Sequence, residues 1–117
     1  MPSFNLFNNE PDIRVVTAGQ VIFAEGQPGD LMYAVIEGEV EIKRQGVTLA
    51  TIGAGGLFGE MALIDHQPRS AAATAKTEAR VAAVSEARLM RMVSQNPQFA
   101  LSMMRLLVER IRHSLES

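Results

Sequence analysis

The chain has 117 residues, 47% of them apolar and 21% charged, a size and balance that fit one folded domain around a single core. Eleven basic residues against thirteen acidic ones leave a net charge of −2, which gives no electrostatic footprint for a nucleic-acid backbone, so direct DNA binding is not expected. Cysteine is absent, excluding disulfides, thiolate metal sites and a cysteine nucleophile, and no apolar run approaches the roughly 18 residues of a membrane span.

At the amino terminus no basic segment precedes an apolar one, so no secretory leader is read and a cytoplasmic location is expected. All nine glycines lie at or before position 59, often seven to ten residues apart, a punctuation that suggests short strands joined by turns. Val21-Ile22-Phe23 and the run from Met32 to Ile36 are short and apolar, while Val40-Glu41-Ile42-Lys43 alternates with the period of a half-buried strand. Glu37-Gly38-Glu39 and Gln45-Gly46 then read as hairpin turns, with glycine available for positive φ. Val47 to Ile52 makes the next strand, and Gly53-Ala54-Gly55-Gly56 leads out of it. A sheet must hide its apolar face by closing or by packing on a second sheet, which implies a sandwich or barrel.

Residues 58 to 75, FGEMALIDHQPRSAAATA, hold the chemistry. Gly59 lets a ligand approach the backbone, and a helical turn from Glu60 through Leu63 would aim free N–H groups at negative charge. Glu60 is an acceptor suited to sugar hydroxyls. Arg69 offers a planar fork that matches two phosphate oxygens, and Ser70 with the N–H groups of Ser70 and Ala71 adds further donors. Pro68 fixes φ just before the fork, and the alanines after it leave room for a bound group. Together these residues make a sugar–phosphate reader with one element for each half. The plainer alternative is a surface ion pair between Glu60 and Arg69, worth about 0–1 kcal/mol.

Residues 71 to 84, AAATAKTEARVAAV, support two readings. Alanine favours a helix reaching back to Ala71, whereas the β-branched Thr74, Thr77, Val81 and Val84 favour two strands with a turn at Lys76-Thr77-Glu78-Ala79. Beyond them, Ser85 is a candidate N-cap for a helix that stops near Asn96-Pro97, and Pro97 opens a second helix to about Leu115. In that helix Leu101, Met104, Val108, Ile111 and Leu115 are spaced three, four, three and four apart. The seam can pack on the sheets or on a second copy of the chain. His66 and His113 are isolated and read as solvated residues, and the seven methionines read as adaptable core filling.

Phe58-Gly59-Glu60-Met61-Ala62-Leu63 and Pro68-Arg69-Ser70-Ala71, with Glu25-Gly26-Gln27-Pro28-Gly29-Asp30, Met32-Tyr33 and Ile36-Glu37-Gly38-Glu39-Val40 before them, resemble the cyclic nucleotide-binding domain family over nearly the whole chain. The resemblance implies a mainly β fold with flanking helices: an eight-stranded β-roll, or jelly roll, over about residues 13–84, then helices at about 85–95 and 97–115, all in one domain of residues 1–117. It favours strands for 71–84. It also implies that Gly59 and Glu60 hold the ribose 2′-hydroxyl, that Arg69 neutralises the cyclic phosphate, and that Ser70 and Ala71 complete the cradle, with Phe58, Met61 and Ala62 lining the same cassette. In the family, alanine after the arginine goes with cAMP and threonine with cGMP; Ser70 lies between them, so cAMP is expected with a weak preference.

The expected function is a non-catalytic sensor that takes a cyclic nucleotide, needs no cofactor or metal, and signals by moving its last helix. Arg105, Arg110 and Arg112 are candidates for a contact to the base. No helix-turn-helix, kinase or channel segment is read in these residues, so the output is expected from a homodimer through the C-terminal helix or from a separate effector protein. A degenerate roll that binds a protein partner without nucleotide is the alternative; the intact Glu60 and Arg69 speak against it. A metal-dependent barrel enzyme would need histidines and carboxylates clustered on adjacent strands, which two scattered histidines do not supply.

Overall fold

In a computed structural model the described residues are Phe7 and 10–116, with side chains to residue 113. Among them the elements run β1 (Ile13–Val16), β2 (Val21–Phe23), β3 (Leu31–Glu37), β4 (Val40–Arg44), β5 (Val47–Ile52), β6 (Leu57–Phe58), α1 (Glu60–Asp65), β7 (Ala72–Ala75), β8 (Ala79–Ser85), α2 (Glu86–Gln95) and α3 (Pro97–Glu116). The eight strands form two four-stranded sheets, in the orders β1-β8-β3-β6 and β2-β7-β4-β5, and every pairing is antiparallel. The fold is mainly β with C-terminal helices, as the sequence implies. No helix among the described residues is long and apolar enough to cross a membrane.

The two turns read as hairpins part company. Gln45 and Gly46 both take positive φ, 52° and 80°, and join β4 to β5 in a true hairpin with Arg44 opposite Val47; paired left-handed residues match the twist of the strands they connect. Glu37-Gly38-Glu39 does not make a hairpin. β3 pairs with β6 and β8, and β4 with β5 and β7, so Gly38 and Glu39 carry the chain from one sheet to the other. The crossing is fastened to the β7–β8 turn: Glu39 N–H donates to Thr77 Oγ1 at 3.1 Å, and the Glu39 carbonyl accepts from Lys76 N–H at 2.9 Å. Local sequence is the same for a turn within a sheet and a turn between sheets.

The stretch open to two readings forms strands. Ala73, Ala75, Ala79, Ala82 and Ala83 are buried, and small side chains let strands pack closely where a helix would present the same alanines to no partner. Tertiary packing outweighs intrinsic propensity here. Phe23, Tyr33, Val35, Val40, Ile52, Phe58, Ala73, Val81 and Ala83 form the core cluster. Within it Tyr33 and Phe58 stack at 5.2 Å between ring centroids, and Phe23 lies 6.0 Å from each.

Among the described residues the chain divides into two compact units, with the boundary in sequence after Glu86. In the helical unit Asn96 N–H donates to the Met92 carbonyl at 2.9 Å, and Phe99 N–H to the Asn96 carbonyl at 3.0 Å, so Asn96 ends one helix and turns the chain into the next. α3 buries Phe99, Met103 and Leu106, four and three residues apart, and leaves the expected seam outward: Leu101, Met104, Val108 and Ile111 are 40%, 60%, 49% and 59% exposed. Leu115 lies outside the residues whose side chains are described.

Candidate functional site

β6 delivers Phe58 into the core, 2% exposed, and the chain then turns sharply at Gly59, whose φ of 78° is left-handed and caps the start of α1. Glycine is required there twice over. Besides the strained φ, a Cβ would stand 2.9 Å from Arg69 Nη1 and 3.2 Å from the Phe23 ring. The turn throws Glu60, Ala62 and Leu63 inward on α1 and leaves Met61 55% exposed. His66 closes the helix with φ 59° and an N–H bond to the Ala62 carbonyl; its ring is exposed, 3.8 Å from a Glu86 oxygen.

Arg69 is brought back to this corner by its own backbone. Its N–H donates to the Gln27 carbonyl and its carbonyl accepts from Gly26 N–H, both at 2.8 Å, while Arg44 Nε donates to the Ser70 carbonyl at 3.0 Å. The loop at 24–29, the β4–β5 hairpin and the residues after Pro68 are thereby stitched together. The side chain runs inward and is only 6% exposed. Nη1 donates to the Gly59 carbonyl at 2.7 Å and Nη2 to the Leu31 carbonyl at 2.6 Å, and the guanidinium carbon lies 4.0 Å above the Phe23 ring centroid.

The electrostatics follow from that position. Burial lowers the Arg69 pKa from its ordinary value, while Tyr33, Asp30 and Glu60 pull it back up. An arginine starts so high that it keeps its charge at neutral pH. Its Nε–H is buried and makes no hydrogen bond among the described residues. The corner therefore holds a dehydrated cation, which an anion would stabilise.

Of the residues singled out from sequence, Phe58, Gly59, Glu60, Ala62, Arg69 and Ala71 gather in or beside this corner with low exposure, and Glu60 at 3% and Arg69 at 6% are not a surface ion pair. Met61 and Ser70 face outward. Three neighbours of the guanidinium escaped sequence reading: Phe23, Gly29 and Leu31. Gly29 carried a signal in the Gln27-Pro28-Gly29-Asp30 run, and in the fold a Cβ there would fall 2.5 Å from Arg69 Nε and 2.7 Å from Ala62 Cβ; Phe23 read as an ordinary strand residue, and Leu31 stood just before the run read as a strand. Arg105 and Arg112 are exposed and Arg110 is half-buried. Among the described residues no three histidine or acidic groups cluster as a metal site would require.

The family model described as "Cyclic nucleotide-binding domain" matches residues 13–96. The chain is 33% identical over 101 residues to a CRP-like cAMP-activated global transcriptional regulator of Mycobacterium tuberculosis, covering 82% of this chain and 45% of that protein. It is 39% identical over 87 residues to a cyclic nucleotide-gated potassium channel of Mesorhizobium japonicum, covering 74% of this chain and 24% of the channel. Among solved structures, Thermus thermophilus catabolite activator protein superposes with a TM-score of 0.83 at 31% identity, over 94% of this chain and 54% of that one. The chain thus spans about half the length, or less, of the proteins it matches.

Proposed function

This chain belongs to the cyclic nucleotide-binding domain family, and from that premise we propose that it is a non-catalytic sensor module, cytoplasmic, binding cAMP in preference to cGMP through the corner between β6, α1 and β7. One observation carries the reading: Arg69 is a buried cation, fixed by the Gly59 and Leu31 carbonyls in the same corner that buries Glu60. A buried cation is costly unless it is paired and hydrogen-bonded, and a bound anion would supply the pairing. Arg69 meets the cyclic phosphate, Gly59 and Glu60 hold the ribose hydroxyl, Ser70 and Ala71 complete the cradle, and Phe58, Met61 and Ala62 complete the cassette. Serine at position 70, neither alanine nor threonine, keeps the purine preference shallow.

Titration calorimetry with cAMP, cGMP and a cyclic dinucleotide tests this directly: binding of cAMP at micromolar affinity or better is expected, and no heat with any of the three would leave a protein-binding scaffold as the better account. Because ligand binds only the folded state, cAMP at about 100 times its Kd should stabilise the chain by about 2.7 kcal/mol, a rise in Tm of about 10 °C in a thermal melt.

Signalling, on this reading, moves the C-terminal helix, whose outward stripe at Leu101, Met104, Val108 and Ile111 meets its counterpart on a second copy. The contact is apolar and self-complementary, as a two-fold interface requires. Met104→Glu with Val108→Glu should convert a dimer to a monomer in sedimentation equilibrium while cAMP is still bound; an unchanged mass would point instead to a separate effector protein on that face.

A further inference from the structure

The guanidinium of Arg69 is held from three directions, and its neighbours do different things. The carbonyls of Gly59 and Leu31 take two of its N–H donors. Gly29 presses close to Nε, leaving no room for a Cβ. The Phe23 ring lies against the guanidinium carbon, its centroid 4.0 Å away. A guanidinium's hydrogen-bond donors all point within its plane, so a ring beneath that plane fixes its tilt and uses up no donor. Attraction between a cation and an aromatic face is strongest where water is excluded, and here Phe23 is 8% exposed and Arg69 6%. The ring itself is fixed by Tyr33 and Phe58, each 6.0 Å away. Aliphatic side chains fill core volume equally well but have no such face.

We infer that Phe23 is a positioning residue for anion recognition: its ring is the shelf that sets the plane of the Arg69 fork, so that the donors not held by the carbonyls meet the phosphate of a nucleotide in line. This rests on the nucleotide-binding reading of the same corner and adds to it a residue whose side chain need touch no ligand. Phe23→Leu keeps an apolar side chain and removes the face; Phe23→Tyr restores the face. Val81→Ala, in the same core cluster, is a purely structural control.

Calorimetry with cAMP and with adenosine, which lacks the phosphate, should show Phe23→Leu weakening cAMP about tenfold or more with adenosine unchanged, Phe23→Tyr within about threefold of the wild type, and Val81→Ala lowering Tm without altering the ratio of cAMP to adenosine affinity. Should Phe23→Leu not fold, Phe23→Met takes its place. Equal cAMP affinity in wild type and Phe23→Leu overturns the inference, as does a Phe23→Tyr variant no better than Phe23→Leu. If the wild type binds no cyclic nucleotide, the functional reading fails separately, and the shelf is judged by NMR. A ring-current shift of the Arg69 Nε–H that vanishes in Phe23→Leu and persists in Phe23→Tyr upholds the placement; identical shifts in all three overturn it.

Discussion

Arg69→Ala is expected to weaken cAMP binding by about a hundredfold or more, which corresponds to about 2.7 kcal/mol, and to lower Tm even without ligand. The two losses have different origins. Binding suffers because charge-assisted bonds to a phosphate from a dehydrated site are stronger than neutral ones. Stability suffers because the Gly59 and Leu31 carbonyls lose the donors at 2.7 and 2.6 Å, and a buried acceptor left unpaired costs about 1–3 kcal/mol. Arg69→Lys separates charge from shape: an ammonium keeps the charge but cannot span both carbonyls and still present a planar fork. It should bind cAMP at least tenfold more weakly than the wild type. Calorimetry and thermal melts read both effects, and a lysine variant with full affinity would show that net charge alone suffices.

Gly29→Ala is expected to come next in size, although residue 29 supplies no ligand group. Its Cβ would fall 2.5 Å from Nε and 2.6 Å from Cζ of Arg69, and 2.7 Å from the Ala62 Cβ. The guanidinium must shift off its two carbonyls or α1 must move outward at Ala62. Overpacking of this kind costs about 1–3 kcal/mol, a fall in Tm of several degrees, and displacing the fork should weaken cAMP at least tenfold. Adenosine binding should change little. A variant melting and binding like the wild type would mean that the loop at 24–29 yields freely.

The physics that made parts of this molecule legible in the sequence is local. Val40 to Lys43 alternates because Val40 lies in the core cluster and Ile42 packs against it, and Gln45-Gly46 announces a hairpin because few residue pairs tolerate two left-handed positions. Gly59-Glu60 and Pro68-Arg69-Ser70 stood out because their chemistry is specific. What stayed hidden depends on residues far apart in the chain. Gly38 looks like any turn glycine; only the pairing of β3 with β8 and of β4 with β7 makes it a bridge between sheets. Phe23 reads as core until Arg69, forty-six positions later, lies across its ring. In α3 both Phe99-Met103-Leu106 and Leu101-Met104-Val108-Ile111 have helical spacing, and sequence periodicity cannot tell the buried set from the exposed one. The alanine-rich stretch has the best helix formers in the chain, yet it builds strands because the sheets need thin side chains there.

The strand order β1-β8-β3-β6 also has a meaning for biosynthesis. β8 lies between β1 and β3, so one of the two inner strands of the first sheet is the last to be made. As the polypeptide leaves the ribosome, Ile13 must wait for Ala82, its partner across the ladder, and contacts closing so large a loop are slow to form. Until that segment emerges, β3 and β6 can pair with each other while β1 has no neighbour in its sheet.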